Sequence, residues 1–446
     1  MDKSFGDVPS FFSSWLNGQT FYRPFSREVF NLLMYKTFGL NPLPFHIVNL
    51  SLIFILACLI FIFAKLLTHN KLIGLVAVLL YSLSSIHNVE LYYLASVQTL
   101  LAAAFMLSSL ICYLKFLFLH GRRYYIPAVV FYILAILSHE SSVIFPALVF
   151  LLESLIKNKV KIKSKLFNLF PFILIGGVRI SLLLILRNLP SQLVYLPIFN
   201  LKSIINTFMW YTLWNFNLPE LLPDFIGSGF KVNPNFFKWY GHYSLTVFPL
   251  VLLLFLLLTI YFFKYKKSIF KDRLLLLIVS FYVTSLLPFL FFPQHKFVYY
   301  LSFPLVWFSV AIALLLSNGI NKFMTKITII IFLISFGVLG FKTNQLNSIT
   351  YWAAKRANAA EFLLSDIKSK IPEVFENESI YITKDPNYPF IANEWGDSSK
   401  QAFYILSGAD AFKLLYRKPD LKVYFEGINE PPIGEKIVEY RSKFPY

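Results

Sequence analysis

The chain has 446 residues, 57% of them hydrophobic and 14% charged, with 50 Phe. Apolar runs of about 20 residues recur along it, which excludes an ordinary soluble domain and points to a polytopic helical membrane protein. The net charge of +18 does not indicate a nucleic-acid binder. Residues 344–446 are nearly balanced, with 13 basic and 14 acidic side chains, and the remaining excess of 28 basic over nine acidic lies largely in short loops between apolar runs.

The first 45 residues carry Asp2 and Asp7, then a short amphipathic stretch at Phe11, Phe12, Trp15 and Leu16 that is too brief to span. The cluster FYRPFSREVFNLLMYKTFGLNPLPFHIVN follows at 21–49, with Arg23 and Arg27 just outside the first apolar run. These arginines could grip phosphate through bidentate, charge-assisted bonds, or simply anchor the chain at the interface. Ten apolar segments come next, near 46–64, 72–86, 92–118, 124–138, 143–156, 166–186, 243–263, 274–292, 298–318 and 327–343. Both Cys58 and Cys112 fall inside them, where small apolar filling is the better reading than a disulfide or a metal site.

Loops with Lys65 and Lys71, with Arg122 and Arg123, with five lysines over 157–165, with five basic residues over 264–273, and with Lys322 and Lys326 alternate with acid-bearing loops. The positive-inside rule then places residues 1–45, the long loop 187–242 and the tail 344–446 outside the cytoplasm. Nothing in the first 45 residues reads as a signal peptide, so either a further helix precedes them or the short segment is translocated after synthesis. The tail reads as a small α/β appendage, with helices at 351–371 and 400–417 and strands at 379–383 and 421–425.

Seven of the nine acids in residues 1–343 fall on the external face, and acids at span ends are functional candidates by default. His87-Asn88-Val89-Glu90 occupies a tight external turn, where Glu90 could act as a general base oriented by His87, or complement a helix N-terminus. Ser138-His139-Glu140-Ser141-Ser142 breaks two short runs; its His-Glu pair could hold a ligand, pair with an arginine such as Arg179, or cap a helix. Arg179, within the sixth run, calls for an anionic partner. Gln294-His295-Lys296-Phe297-Val298-Tyr299-Tyr300 brings His295, Lys296 and two tyrosines to the acid-bearing side. Glu220 and Asp224 read as surface-loop residues. No zinc-ligand spacing, P-loop, GxSxG or dinucleotide fingerprint is present.

Four patches together resemble the GT-C membrane glycosyltransferases, nearest to protein O-mannosyltransferases, lipid A aminoarabinose transferases and the transmembrane-and-tetratricopeptide-repeat proteins. They are YRPFSREVFNLLMYKTFGLNPLPFHIVNL, SSIHNVELYYLASVQTLLAAAF, LAILSHESSVIFPALVFLLESL and HKFVYYLSFP. The resemblance implies a GT-C fold of about ten transmembrane helices and an inverting transfer of sugar from a polyprenyl-phosphate donor to a protein, envelope glycan or lipid acceptor. The site would lie at the external membrane surface; the Lys- and Asn-rich usage, which suggests an AT-rich prokaryotic genome, points to the plasma membrane. By position Glu90 matches the family's second acid, and His139 and Glu140 match its Lys-Glu pair, with His replacing Lys. Lys296 matches its late basic residue.

On this reading Glu90, Glu140 and, more weakly, Asp7 are the catalytic acids. Arg23, Arg27, Arg179 and Lys296 hold the donor phosphate, with His87, His139 and His295 in support. Carboxylates on this face could bind Mg²⁺ or Mn²⁺, but no dedicated metal cage is legible. Two departures stand: the family's first-loop acid follows a helix that this sequence does not contain, and the tetratricopeptide tail is replaced by the α/β appendage. A lipid-linked glycan flippase or a catalytically inactive scaffold remains the alternative, although no internal repeat supports a transporter.

Overall fold

In the computed structural model, residues 3–444 are described except 14–20, 40, 120, 157–161, 186–195, 228–230, 270, 318–322 and 389–395. Asp2, Trp15, Leu16, Lys157, Lys159, Lys161, Arg187 and Lys322 therefore lie outside the described residues. The chain divides into two compact units, residues 1–347 and 348–446.

The first unit is helical. Its elements are α1 (Val8–Phe11), α2 (Phe30–Phe38), α3 (Pro42–Thr68), α4 (Lys71–Ser82), α5 (Ile86–Tyr92), α6 (Val97–Leu119), α7 (Arg122–Ser138), α8 (Phe145–Ile156), α9 (Ile162–Ile185), α10 (Leu201–Asn215), α11 (Leu222–Phe225), α12 (Pro234–Ile269), α13 (Arg273–Leu290), α14 (Pro304–Ser317) and α15 (Phe323–Thr350). Each of the ten expected apolar segments contains a helix, yet among the described residues six helices are long and apolar enough to cross a membrane. A seventh results if α4 and α5, bent by 51° at their break, count as one span. The shortfall is one of length: α8 has 12 residues and α14 has 14, so at about 1.5 Å per residue each reaches only ~18–21 Å of a core ~30 Å thick. These helices make the chain a multi-pass membrane protein.

Helix ends follow local chemistry. Asn41 accepts the Leu43 N–H and Pro42 supplies a preset φ at the start of α3; Asn70 caps α4 in the same way. The break after α4 is held from a distance by Asn217, which is fully buried in a left-handed conformation (φ 63°). Its side chain accepts the Ser85 N–H (2.7 Å) and donates to the carbonyls of Leu83 (3.3 Å) and Phe336 (3.0 Å), while its own carbonyl accepts from Thr343 Oγ1 (2.5 Å). One amide thus satisfies a broken span and ties it to α15.

The second unit contains α16 (Trp352–Lys370), β1 (Glu378–Thr383), α17 (Ser398–Ile405), α18 (Asp410–Tyr416), β2 (Val423–Phe425) and β3 (Lys436–Arg441). The strands form a parallel sheet in the order β2-β1-β3, with Ile380 opposite both Val423 and Val438. Ile380, Ile382, Val423, Phe425 and Tyr440 pack with Leu363, Ile367, Ala402 and Phe412 into one core. The expected helix at 400–417 is two, divided where Ser407 and Gly408 take positive φ. The third strand was not expected, because KIVEYR is short and half charged.

A Cβ at Gly340 would lie 2.4 Å from the Leu83 carbonyl oxygen and 2.9 Å from Asn217 Nδ2, neither of which can retreat without breaking the Asn217 bonds. Gly340→Ala should lower the unfolding midpoint in detergent, by the equivalent of about 1–3 kcal/mol. Gly177→Ala, in a helix with nothing within 4 Å of the new methyl, should leave it unchanged or raise it slightly.

Candidate functional site

Four irregular segments supply the site, and each is irregular for a local reason. Arg23 precedes Pro24, which opens a π-helix at Pro24–Val29. A 3-10 turn at Leu94–Ser96 leads into α6, placing Gln98 and Thr99 in its first turn. His139 takes an extended backbone (φ −155°, ψ 137°) that stops α7 and starts a 3-10 turn at Glu140–Ile144. A second 3-10 turn, Val298–Ser302, carries Tyr299 and Tyr300. With the residues beside them they line a cavity of about 170 Å³ whose polar lining is Arg23, Gln98, Thr99, His139, His295, Tyr299 and Tyr300, with Phe21, Tyr93 and Ala95 completing the wall.

Arg23 organises one side. Its Nε donates to Glu140 Oε2 (2.7 Å) and a terminal nitrogen donates to Glu140 Oε1, so the pair is bidentate; the other terminal nitrogen donates to Gln98 Oε1. The guanidinium lies 5.2 Å from the Phe21 ring centroid. Burial alone would raise the Glu140 carboxyl, but the Arg23 charge, with His139 and the Arg23 hydrogen bonds, holds it well below the usual carboxylate range. Arg23 is raised in turn, since the Glu140 charge and hydrogen bonds outweigh its burial.

His139 is almost wholly buried. Its Nδ1 accepts the Ser141 N–H (3.2 Å) and meets Ser141 Oγ at 2.8 Å, which leaves Nε2 to carry the ring proton. Burial pushes this imidazole down to about 3, despite Glu140 acting the other way, with Arg23 and Arg179 adding to the fall. It is therefore a neutral donor throughout the physiological range. His295, also at the cavity wall, is lowered by burial.

Of the residues singled out from sequence, Arg23, His139 and His295 line the cavity and Glu140 joins them through Arg23. The partner of Glu140 is Arg23, not Arg179: Arg179 donates to the Tyr22 carbonyl (2.9 Å), lies 5.2 Å from the Tyr22 ring, and keeps a buried Nε without a hydrogen-bond partner. Glu90 has no exposed surface. Its Oε2 meets His87 Nδ1 (2.8 Å), its Oε1 accepts from Ser302 Oγ (2.5 Å), and the His87 Nε2–H is taken by the Tyr81 carbonyl (2.7 Å). With Nε2 committed as donor, the contact between Nδ1 and the carboxylate needs one shared proton, so the His87–Glu90 pair is neutral overall. Glu90 is thus a buried strut beneath the Val298–Ser302 turn and does not face the cavity.

Asp7 accepts the backbone N–H and the hydroxyl of Ser4 (2.6 and 3.0 Å) in a local cap, and Arg27 meets Glu28 at 3.7 Å and the Phe21 carbonyl at 3.4 Å. Lys296 is held below its ordinary value by burial, partly offset by Asp224, whose carboxyl burial raises. The surface reading of Glu220 fails, for its Oε2 is buried without a hydrogen-bond partner. Burial pushes Glu220 up to about 8, with Asp224 adding to the rise and the Val298 N–H opposing it. Gln98 was missed by sequence reasoning; the available signal was an amide in an otherwise apolar stretch, VQTLLAAAF. Among the described residues no three His, Cys, Asp or Glu side chains converge as a metal site. No protein-family model matches this sequence, and neither does any curated protein.

Two outcomes should follow. Arg23→Met or Glu140→Gln alone should each destabilise the protein by about 1–3 kcal/mol, because the partner is left unsatisfied. The double variant should recover part of that loss, as thermal unfolding in detergent would show. Glu220 is raised from 4.5 to about 8, so between those values the folded state binds more protons than the unfolded one and stability falls as pH rises. The unfolding midpoint should drop from about pH 5 to about pH 8, with a slope from this group of at most ~1.4 kcal/mol per pH unit, and Glu220→Gln should flatten it.

Proposed function

We propose that the chain is a membrane glycosyltransferase of the GT-C type, transferring a sugar from a polyprenyl-phosphate donor to a protein, envelope glycan or lipid acceptor at the extracytoplasmic face of the plasma membrane. The observation that carries this reading is convergence. The four patches that resemble that family each give side chains to one cavity: Arg23 from the first, Tyr93, Gln98 and Thr99 from the second, His139 from the third, and His295, Tyr299 and Tyr300 from the fourth. Segments serving merely as interfacial anchors have no reason to close on a shared polar space.

The reaction is a single displacement at the anomeric carbon, with phosphate as the leaving group. Its chief requirement is positive charge where the phosphate departs. Arg23 and Arg179 with Glu140 carry one net positive charge, which suits the single negative charge of a phosphodiester. Glu140 holds Arg23 in place, and its depressed pKa makes it a weak base. Deprotonation of the acceptor therefore falls to another group, and Glu90 supports the tyrosine-bearing turn through Ser302 without touching substrate.

Purified protein should transfer label from polyprenyl-phosphate sugars to membrane acceptors, and Arg23→Ala should reduce kcat/KM for the donor by roughly 100-fold. Absence of transfer across a panel of such donors, or an Arg23→Ala variant with unaltered donor dependence, would sink the reading.

A further inference from the structure

At the cavity wall the charge of Arg23 is matched by that of Glu140. Both oxygens of Glu140 accept hydrogen bonds from Arg23, and the remaining terminal nitrogen of Arg23 donates to Gln98. We infer that the sugar taken into this cavity is uncharged, bearing hydroxyls and neither an amine nor a carboxylate, and that the Arg23–Glu140 pair is the determinant of that choice. The inference rests on the transferase reading and deepens it by naming the class of sugar.

An ammonium group on the sugar would need a carboxylate whose charge is not already matched, and the Glu140 charge is matched by Arg23 through two hydrogen bonds. A uronic acid would add a second negative charge to that of the phosphate, and Arg23, Arg179 and Glu140 together carry only one net positive charge. Bringing either charge into a partly enclosed space without a counter-charge costs far more than bringing in a hydroxyl. Hydroxyls find matches. Because Gln98 gives its oxygen to Arg23, its amide is turned so that the NH₂ is the group left to donate. His139 adds a neutral Nε2–H, and burial keeps it so.

The walls fit the apolar side of a sugar ring. Tyr300 is stacked on Phe289 at 4.4 Å and 20°, and Tyr299 on Phe297 at 5.2 Å and 15°. Both rings are thereby held in place in the cavity wall, where aromatic surface suits the C–H groups of a sugar.

The test uses the purified full chain in detergent at neutral pH and three short-chain prenyl-phosphate glycosides, carrying glucose, glucosamine or glucuronic acid. Equilibrium binding should rank the glucoside roughly tenfold or more tighter than either charged analogue. Glu140→Gln, which uncovers Arg23, should move the preference toward the glucuronide, and Arg23→Gln should move it toward the glucosaminide. Should these variants fail to fold, the wild-type ranking alone decides. A charged glycoside bound as tightly as the neutral one overturns the inference and leaves the transferase reading standing. If none of the three binds, the cavity is no donor site, and both ideas fall together.

Discussion

A helix that breaks at the edge of a bilayer exposes N–H and C=O groups that lipid cannot satisfy, and each costs several kcal/mol unless protein supplies a partner. This chain has three such breaks that matter: after α4, between α7 and α8, and between α13 and α14. Each is answered by side chains from distant segments. Asn217 satisfies Leu83 and Ser85, Ser26 donates to the Ser138 carbonyl at 2.6 Å, and Ser302 ties the turn before α14 to Glu90. The breaks recruit polar groups, and the polar groups in turn make a cavity. The candidate site is thus a consequence of how interrupted helices are made compatible with a membrane.

The same demand sorts the acids. Glu153 is fully buried and accepts from Tyr113 Oη (2.7 Å) and Asn168 Nδ2 (2.9 Å), joining α6, α8 and α9. Glu90 does comparable work beneath the cavity, sharing a proton with His87. These acids are satisfied on all sides by neutral or self-compensating partners. Glu140 differs: its side chain keeps 30% of its surface exposed and its partner is a full charge. The contrast separates a carboxylate that holds structure from one that shapes a site, and it rests on exposure and partner charge, not on position in the chain.

That is also why the sequence was legible only in part. Polar residues in apolar surroundings stand out, so Arg23, His139 and His295 could be picked out as members of one site, and the membrane class follows from run lengths. What a one-dimensional pattern cannot carry is which of several acids meets which partner. Glu90 resembles a cavity acid until Ser302, 212 residues away, covers it. Glu140 had two arginines to choose from, and the π-helix opening at Pro24 aims Arg23 at it. Glu220 sits in a segment that reads as a surface loop, and its burial and its hydrogen bond from the distant Val298 N–H leave no mark there. The run at 298–318 is apolar enough to read as one span, yet its first residues form a 3-10 turn and α14 begins only at Pro304, while the short run that holds α8 is already marked by the polar break at 138–142.

An unpaired arginine at a largely buried site would be costly in the absence of an anion, which favours the paired resting state of Arg23. Pairing has a further effect: the guanidinium is held in one orientation by three hydrogen bonds, so little ordering remains when a ligand arrives. A phosphate reaching this pair does not meet a free cation. It competes with Glu140 for donors that are already aimed, or draws on Arg179, whose Nε is buried with no hydrogen-bond partner. On the transferase reading, the ion pair keeps the site neutral and ordered while empty, and the excess charge needed for phosphate is stored one residue away, over the ring of Tyr22.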